Sequence, residues 1–97
     1  MFVPDDPIHP GEVLREDFMA EFDVTVARVA RDLGVKPDVV QDLIDENAAI
    51  TAELALRLSR YFATSPEFWL NLQRSFDLAV ALRTATGLDT IRPVAAA

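Results

Sequence analysis

Apolar positions recur along this chain at helical spacing, and nowhere do they alternate in the way that predicts a strand. From Pro10 to Phe22, Leu14, Phe18 and Phe22 stand four residues apart, which stacks them on one side of a first helix. Val26, Val29, Ala30 and Leu33 follow at i, i+3, i+4 and i+7, a single apolar helical face. Thr25 precedes that run, where its hydroxyl can accept from the free N–H groups of the first turn. Gly34 follows the run, where a left-handed cap is wanted. Pro37 then suits the first position of another helix, whose inward side is Val40, Leu43 and Ile44. Two short helices around a tight glycine-containing turn are the helix-turn-helix unit, although a helical hairpin with no DNA role has the same pattern.

Two more helices follow. Thr51 caps a fourth, with Glu53 at its positive end and Leu54, Ala55, Leu58 and Phe62 pointing inward. Ser65, Pro66 and Glu67 open a fifth in the order cap, proline, acid, and it is expected to bury Phe68, Trp69, Leu72, Phe76 and Val80. Leu78 and Leu82 lie off that stripe and are candidates for a dimer seam. The pattern divides the chain into an extended arm at residues 1–9, holding Pro4 and Pro7, a helix-turn-helix domain at 10–83 and a loose tail at 84–97.

The second helix of the unit carries an unusual charge for its place. Between Lys36 and Asn47 there is one base, Lys36, against Asp38, Asp42, Asp45 and Glu46. In a helix-turn-helix the first residues of this helix face base edges in the major groove, which here means Pro37, Asp38, Gln41 and Asp42. Gln41 has the bidentate amide that reads adenine, and an aspartate can accept from the cytosine amino group. Both acids must nevertheless approach phosphates. A like-charge contact costs about 1 kcal/mol in water at about 4 Å, and about 4 kcal/mol at an effective dielectric of about 20. Specific binding exceeds non-specific binding by only about 4–10 kcal/mol, so solvated acids on an exposed helix face are as reasonable a reading as base contacts.

Composition narrows the choice further. The 97 residues suffice for one modest core, and without cysteine there is neither a disulfide nor a thiolate metal site. The formal charge of −7 is wrong for a chain held to phosphate by attraction alone, and a basic protein partner explains it equally well. Apolar residues make up 51%, high for so small a monomer, which points to a subunit interface. His9, the one histidine, precedes Pro10 and is expected to finish a helix end. Gly11, Gly34 and Gly87 form no phosphate loop, and Ser59, Ser65 and Ser75 have no histidine near in sequence. An enzyme is not expected, nor a metal or cofactor. No signal peptide or membrane span is legible, so a cytoplasmic protein is the expectation.

Two stretches carry a family resemblance. HPGEVLREDFM, at the first helix, and ITAELALRLSRYFATSPEFWLNLQRSFDLAVA, from Ile50 to Ala81, resemble the HigA-type antitoxins of the Xre, lambda-repressor-like helix-turn-helix regulators. The resemblance spans His9 to Arg83 and implies an all-α, five-helix domain that is usually dimeric. It further implies a protein that neutralises a small RNA-cleaving toxin and represses the shared operon through the major groove. Thr25 and Val26 would then face the DNA backbone, Lys36, Pro37, Asp38, Gln41 and Asp42 bases and nearby phosphates, and Asn47 a phosphate. The departures fall on the same surface. Asp38 and Val39 replace common bases, and Asp45-Glu46-Asn47 replaces an Asn-Gly-base ending. Glu46 tolerates a left-handed backbone poorly, so a helix end shifted by about one residue is expected.

Three functions fit: a dimeric antitoxin that represses its operon, a toxin-binding or other protein-interaction module whose acidic helix no longer reads DNA, and a stand-alone regulator. The first is preferred. Its partners are operator DNA, a small basic toxin and a second copy, with the exposed residues Glu12, Arg15, Glu16 and Asp17 of the first helix as the toxin-facing surface.

Overall fold

The computed structural model describes residues 7–96; the first six residues of the arm, Pro4 included, lie outside them. Among the described residues every regular element is helical. Helix α1 opens at Pro10–Val13, widens into a π-helical stretch at Leu14–Met19 and closes at Ala20–Phe22. It is followed by α2 (Val26–Leu33), α3 (Pro37–Ile44), α4 (Ala52–Phe62) and α5 (Pro66–Thr84), then by single 3-10 turns at Leu88–Thr90 and Val94–Ala96.

The helix starts obey the local chemistry of the chain. Thr25, Thr51 and Ser65 each accept from the N–H three residues on, at 3.2, 3.2 and 3.1 Å. His9 does the same for α1 with a ring nitrogen: Nδ1 accepts from the Gly11 N–H at 2.9 Å. The imidazole is buried and packs edge-on against Phe76 at 4.8 Å. Its expected role in closing a helix end is therefore what the structure shows. Gly11 has a separate duty. A Cβ there would lie 1.8 Å from the Leu43 carbonyl oxygen, so only glycine allows α1 to cross the end of α3 at this distance.

The core joins Leu14, Val29, Val40, Leu43, Leu58 and Trp69, all essentially without solvent exposure. Each such aliphatic side chain contributes about 1.5–3 kcal/mol on burial. Leu54, Ala55, Leu58 and Phe62 of α4 point inward as their spacing predicts.

The periodicity fails at two places. Phe22 was expected beneath Leu14 and Phe18, yet it is 57% exposed, and Met19 is buried instead. The π-helical stretch is the cause: the Ala20 N–H reaches back five residues to the Arg15 carbonyl, so residues five apart stack and Met19 falls under Leu14. On α5 only Trp69 of the expected stripe is fully buried; Leu72 and Phe76 are half-buried, and Phe68 and Val80 are exposed at 38% and 37%. Gln73 and Ala79 take the inner positions. Gln73 is buried because its Oε1 accepts from the Ile50 N–H at 2.7 Å, supplying the acceptor that a buried backbone donor requires. Val80 is partly exposed because Ala79, the adjacent residue at the same level of α5, takes the inward position there.

Candidate nucleic-acid interface

Helices α2 and α3 turn mostly polar residues outward, with Val39 exposed among them at 38%. Val40, Leu43 and Ile44 face the core, which leaves Pro37, Asp38, Gln41, Asp42 and Asp45 exposed on the opposite side of α3. Lys36 is exposed at the N-cap, where its side chain makes no capping bond. The structure thus gathers five of the sequence-predicted residues, Lys36, Pro37, Asp38, Gln41 and Asp42, on one surface. Thr25 is also exposed, at the N-terminus of α2, its hydroxyl oxygen already accepting from Arg28 N–H. Val26 is placed differently. It is half-buried and packed on the core, so it offers little surface to a phosphate.

Local contacts account for part of the acidity of this face. Asp38 lies in the first turn of α3, where the positive end of the helix favours a carboxylate. Asp45 accepts from the Gln41 amide, Nε2 to Oδ1, at 3.0 Å. Glu46 lies 3.6 Å from the guanidinium of Arg15. No ion pair among the described residues engages Asp38 or Asp42.

The end of α3 corrects a second expectation. The helix is not shifted or lengthened to spare Glu46; Glu46 itself takes the left-handed backbone, with φ 64°. The Glu46 N–H donates to the Leu43 carbonyl at 3.0 Å and the Asn47 N–H to the Asp42 carbonyl at 2.9 Å, the paired bonds of a Schellman ending. Asn47 is exposed just beyond it. The left-handed conformation costs a non-glycine residue about 1–2 kcal/mol, while a partly exposed ion pair returns at most about 1 kcal/mol. Glu46→Gly is therefore expected to stabilise the domain by about 1 kcal/mol, raising the thermal midpoint by about 4–8 °C in a calorimetric scan. An unchanged or lower midpoint would mean that the contact with Arg15 outweighs the backbone strain.

Two arginines that the sequence did not single out for this purpose hold the unit together. Arg57 of α4 donates from Nη1 to the Leu33 carbonyl at the end of α2, at 2.7 Å, and pairs with Glu53 at 3.0 Å. Arg15 of α1 donates to the Ile44 carbonyl at the end of α3. A cation at a helix C-terminus meets the unsatisfied carbonyls and the negative end of the dipole. Arg15 was expected to be exposed with Glu12, Glu16 and Asp17; it is half-buried and engaged, as is Glu12 half-buried, while Glu16 and Asp17 are exposed.

The basic residues of α2 are also committed. Arg28 and Arg31 each lie 3.5 Å from Asp32. The Tyr61 hydroxyl donates to Asp32 at 2.7 Å and, with these arginines, holds its carboxyl below the ordinary value. The same bond raises the Tyr61 hydroxyl above its own.

On α5, Leu78 and Leu82 are exposed at 43% each. Leu78 borders a shallow, mostly apolar groove of about 470 Å³ with Leu70, Gln73, Arg74, Asp77 and Ala81. No helix among the described residues is long and apolar enough to cross a membrane.

No protein-family model matches the chain. It is similar to the antitoxin HigA of Pseudomonas aeruginosa, solved with the higBA promoter, at 44% identity and a TM-score of 0.87 over 92% of this chain and 99% of that one. The antitoxin GraA in complex with its operator matches at 40% identity and a TM-score of 0.87, covering 97% of each chain. Antitoxin HigA-1 of Vibrio cholerae is 35% identical over 72 residues, 74% of this chain and 68% of that protein. With this degree of identity over most of both chains, and an all-helical domain built around the same unit, the chain belongs to the HigA antitoxin family of helix-turn-helix transcriptional regulators.

Proposed function

We propose that this protein is an antitoxin that represses its own operon by placing α3 in the major groove and that neutralises a small RNA-cleaving toxin by direct binding. The observation that carries the reading is the identity of 44% over 92% of the chain with a HigA solved with promoter DNA. It is joined to an α3 whose outer residues are all exposed. Lys36, Pro37, Asp38, Gln41 and Asp42 meet bases and neighbouring phosphates, while Thr25 and Asn47 meet the backbone. Val26 contributes at most a glancing contact. The protein acts as a homodimer through Leu78 and Leu82, which doubles the half-sites read. The formal charge of −7 suits a basic toxin, and the exposed Glu16 and Asp17 are where contact is expected.

The test is fluorescence anisotropy on the duplex upstream of its own gene against a scrambled duplex, at two salt concentrations. Selective, salt-sensitive binding is expected. Equal, weak binding to both would leave the second reading, a toxin-binding module with a silent DNA face, which the exposure of Asp38 and Asp42, with no ion pair among the described residues, favours.

The same assay decides where the acids lie. Asp38→Arg or Asp42→Arg removes a repulsion and adds a cation, so non-specific affinity should rise about tenfold and the salt slope steepen by about one counterion per new phosphate contact. If neither quantity moves, those side chains do not approach the duplex.

A further inference from the structure

We propose that Asp45 is a positioning residue that fixes the Gln41 amide to read adenine in preference to guanine. This rests on the DNA-binding reading above. Gln41 and Asp45 stand one turn apart on the outer face of α3, with Nε2 and Oδ1 3.0 Å apart. A carboxylate can only accept, so the amide must turn its NH2 group toward Asp45; the flipped amide would set two oxygens against each other. One N–H is thereby used. On this proposal the N–H anti to the amide oxygen serves Asp45, which leaves the syn N–H and the carbonyl oxygen side by side for a base edge. That donor–acceptor pair complements N7 and N6 of adenine, whereas guanine offers acceptors at both places and would meet the fixed oxygen with its own.

The carboxylate is itself held in place. Asp45 donates its backbone N–H to the Gln41 carbonyl at 2.9 Å, and the Schellman bonds of Glu46 and Asn47 lock the turn that follows. An acid so close to the groove weakens contact with phosphate, and on this reading it exchanges affinity for discrimination.

The experiment uses the full chain on the upstream duplex and on a set of duplexes in which each A·T pair of the half-site is replaced in turn by G·C. The wild type is expected to lose about tenfold or more at one such pair. Gln41→Ala should abolish that loss. Asp45→Ala should reduce it about threefold or more while overall affinity holds or rises, since an acid has left the surface. Asp45→Glu, which keeps an acceptor, should recover much of the discrimination. Asp45→Ala added to Gln41→Ala should change the base preference no further. A merely helix-stabilising pair would shift affinity for every duplex alike. The proposal is overturned if Asp45→Ala leaves the adenine preference intact, or if it alters the preference equally without Gln41. Equal binding of the wild type to native and scrambled duplexes would overturn the DNA-binding reading itself, a failure that shows before any variant is made.

Discussion

Gly11→Ala is expected to destabilise the domain by at least about 3 kcal/mol, beyond the usual range for an added methyl. The new Cβ would lie 1.8 Å from the Leu43 carbonyl oxygen and 2.8 Å from its carbon. These are backbone atoms at the closing turn of α3, so no rotamer relieves the clash and one helix must move. Against a total stability of about 5–15 kcal/mol for such a domain, the loss is a large fraction. Urea denaturation followed by circular dichroism measures it. A loss below about 0.5 kcal/mol would mean that α1 and α3 do not meet at this point. Because α3 is the proposed reading helix, DNA affinity should fall further than the folded fraction alone explains.

Trp69→Ala is expected to cost about 3–5 kcal/mol, the range for deleting a large buried aromatic. Trp69 has no exposed surface and sits against Phe18 at 5.0 Å and Phe68 at 5.1 Å, tying α1 to α5, with Phe62 of α4 at 6.3 Å. Its indole N–H donates to the Thr64 hydroxyl at 2.8 Å, so truncation also strands a partner. Trp69→Phe keeps an aromatic ring in place and should lose roughly half as much. The chain has a single tryptophan, so fluorescence follows unfolding of the wild type and circular dichroism must follow both variants. A cost below about 1 kcal/mol would mean that Trp69 does not hold α1, α4 and α5 together.

The features that could be read from the sequence are those written within a few neighbouring residues. Thr25, Thr51 and Ser65 announced three helices because a capping hydroxyl bonds the N–H three residues on, and Gly34, with φ 76°, announced the turn between α2 and α3. The exposed face of α3 followed from the spacing of Val40, Leu43 and Ile44. What escaped depended on distant partners. The π-helical stretch moved Phe22 out and Met19 in, although the spacing of α1 suits an unbroken α-helix equally well. Gln73 looks like a surface residue until Ile50, 23 positions away, presents its N–H. Arg15 and Arg57 look like solvated charge until the carbonyls of Ile44 and Leu33 arrive 29 and 24 residues off. The αL backbone at Glu46 was judged from propensity alone, and the Schellman bonds outweighed it. Within the proposed site, the residue types were legible, but the bond between Gln41 and Asp45 required their side-chain geometry.

The arginine contacts at the ends of α2 and α3 have a kinetic meaning. Arg57 ties α2 to α4, and Arg15 ties α3 to α1, so contacts within the fold help set the angle of α3, the proposed reading helix. On the DNA-binding reading proposed above, a ligand arriving on that face meets two helices already tied to their neighbours by these contacts. Association should then be a single bimolecular step whose rate responds to ionic strength, and its heat-capacity change should track the desolvated area without a folding contribution.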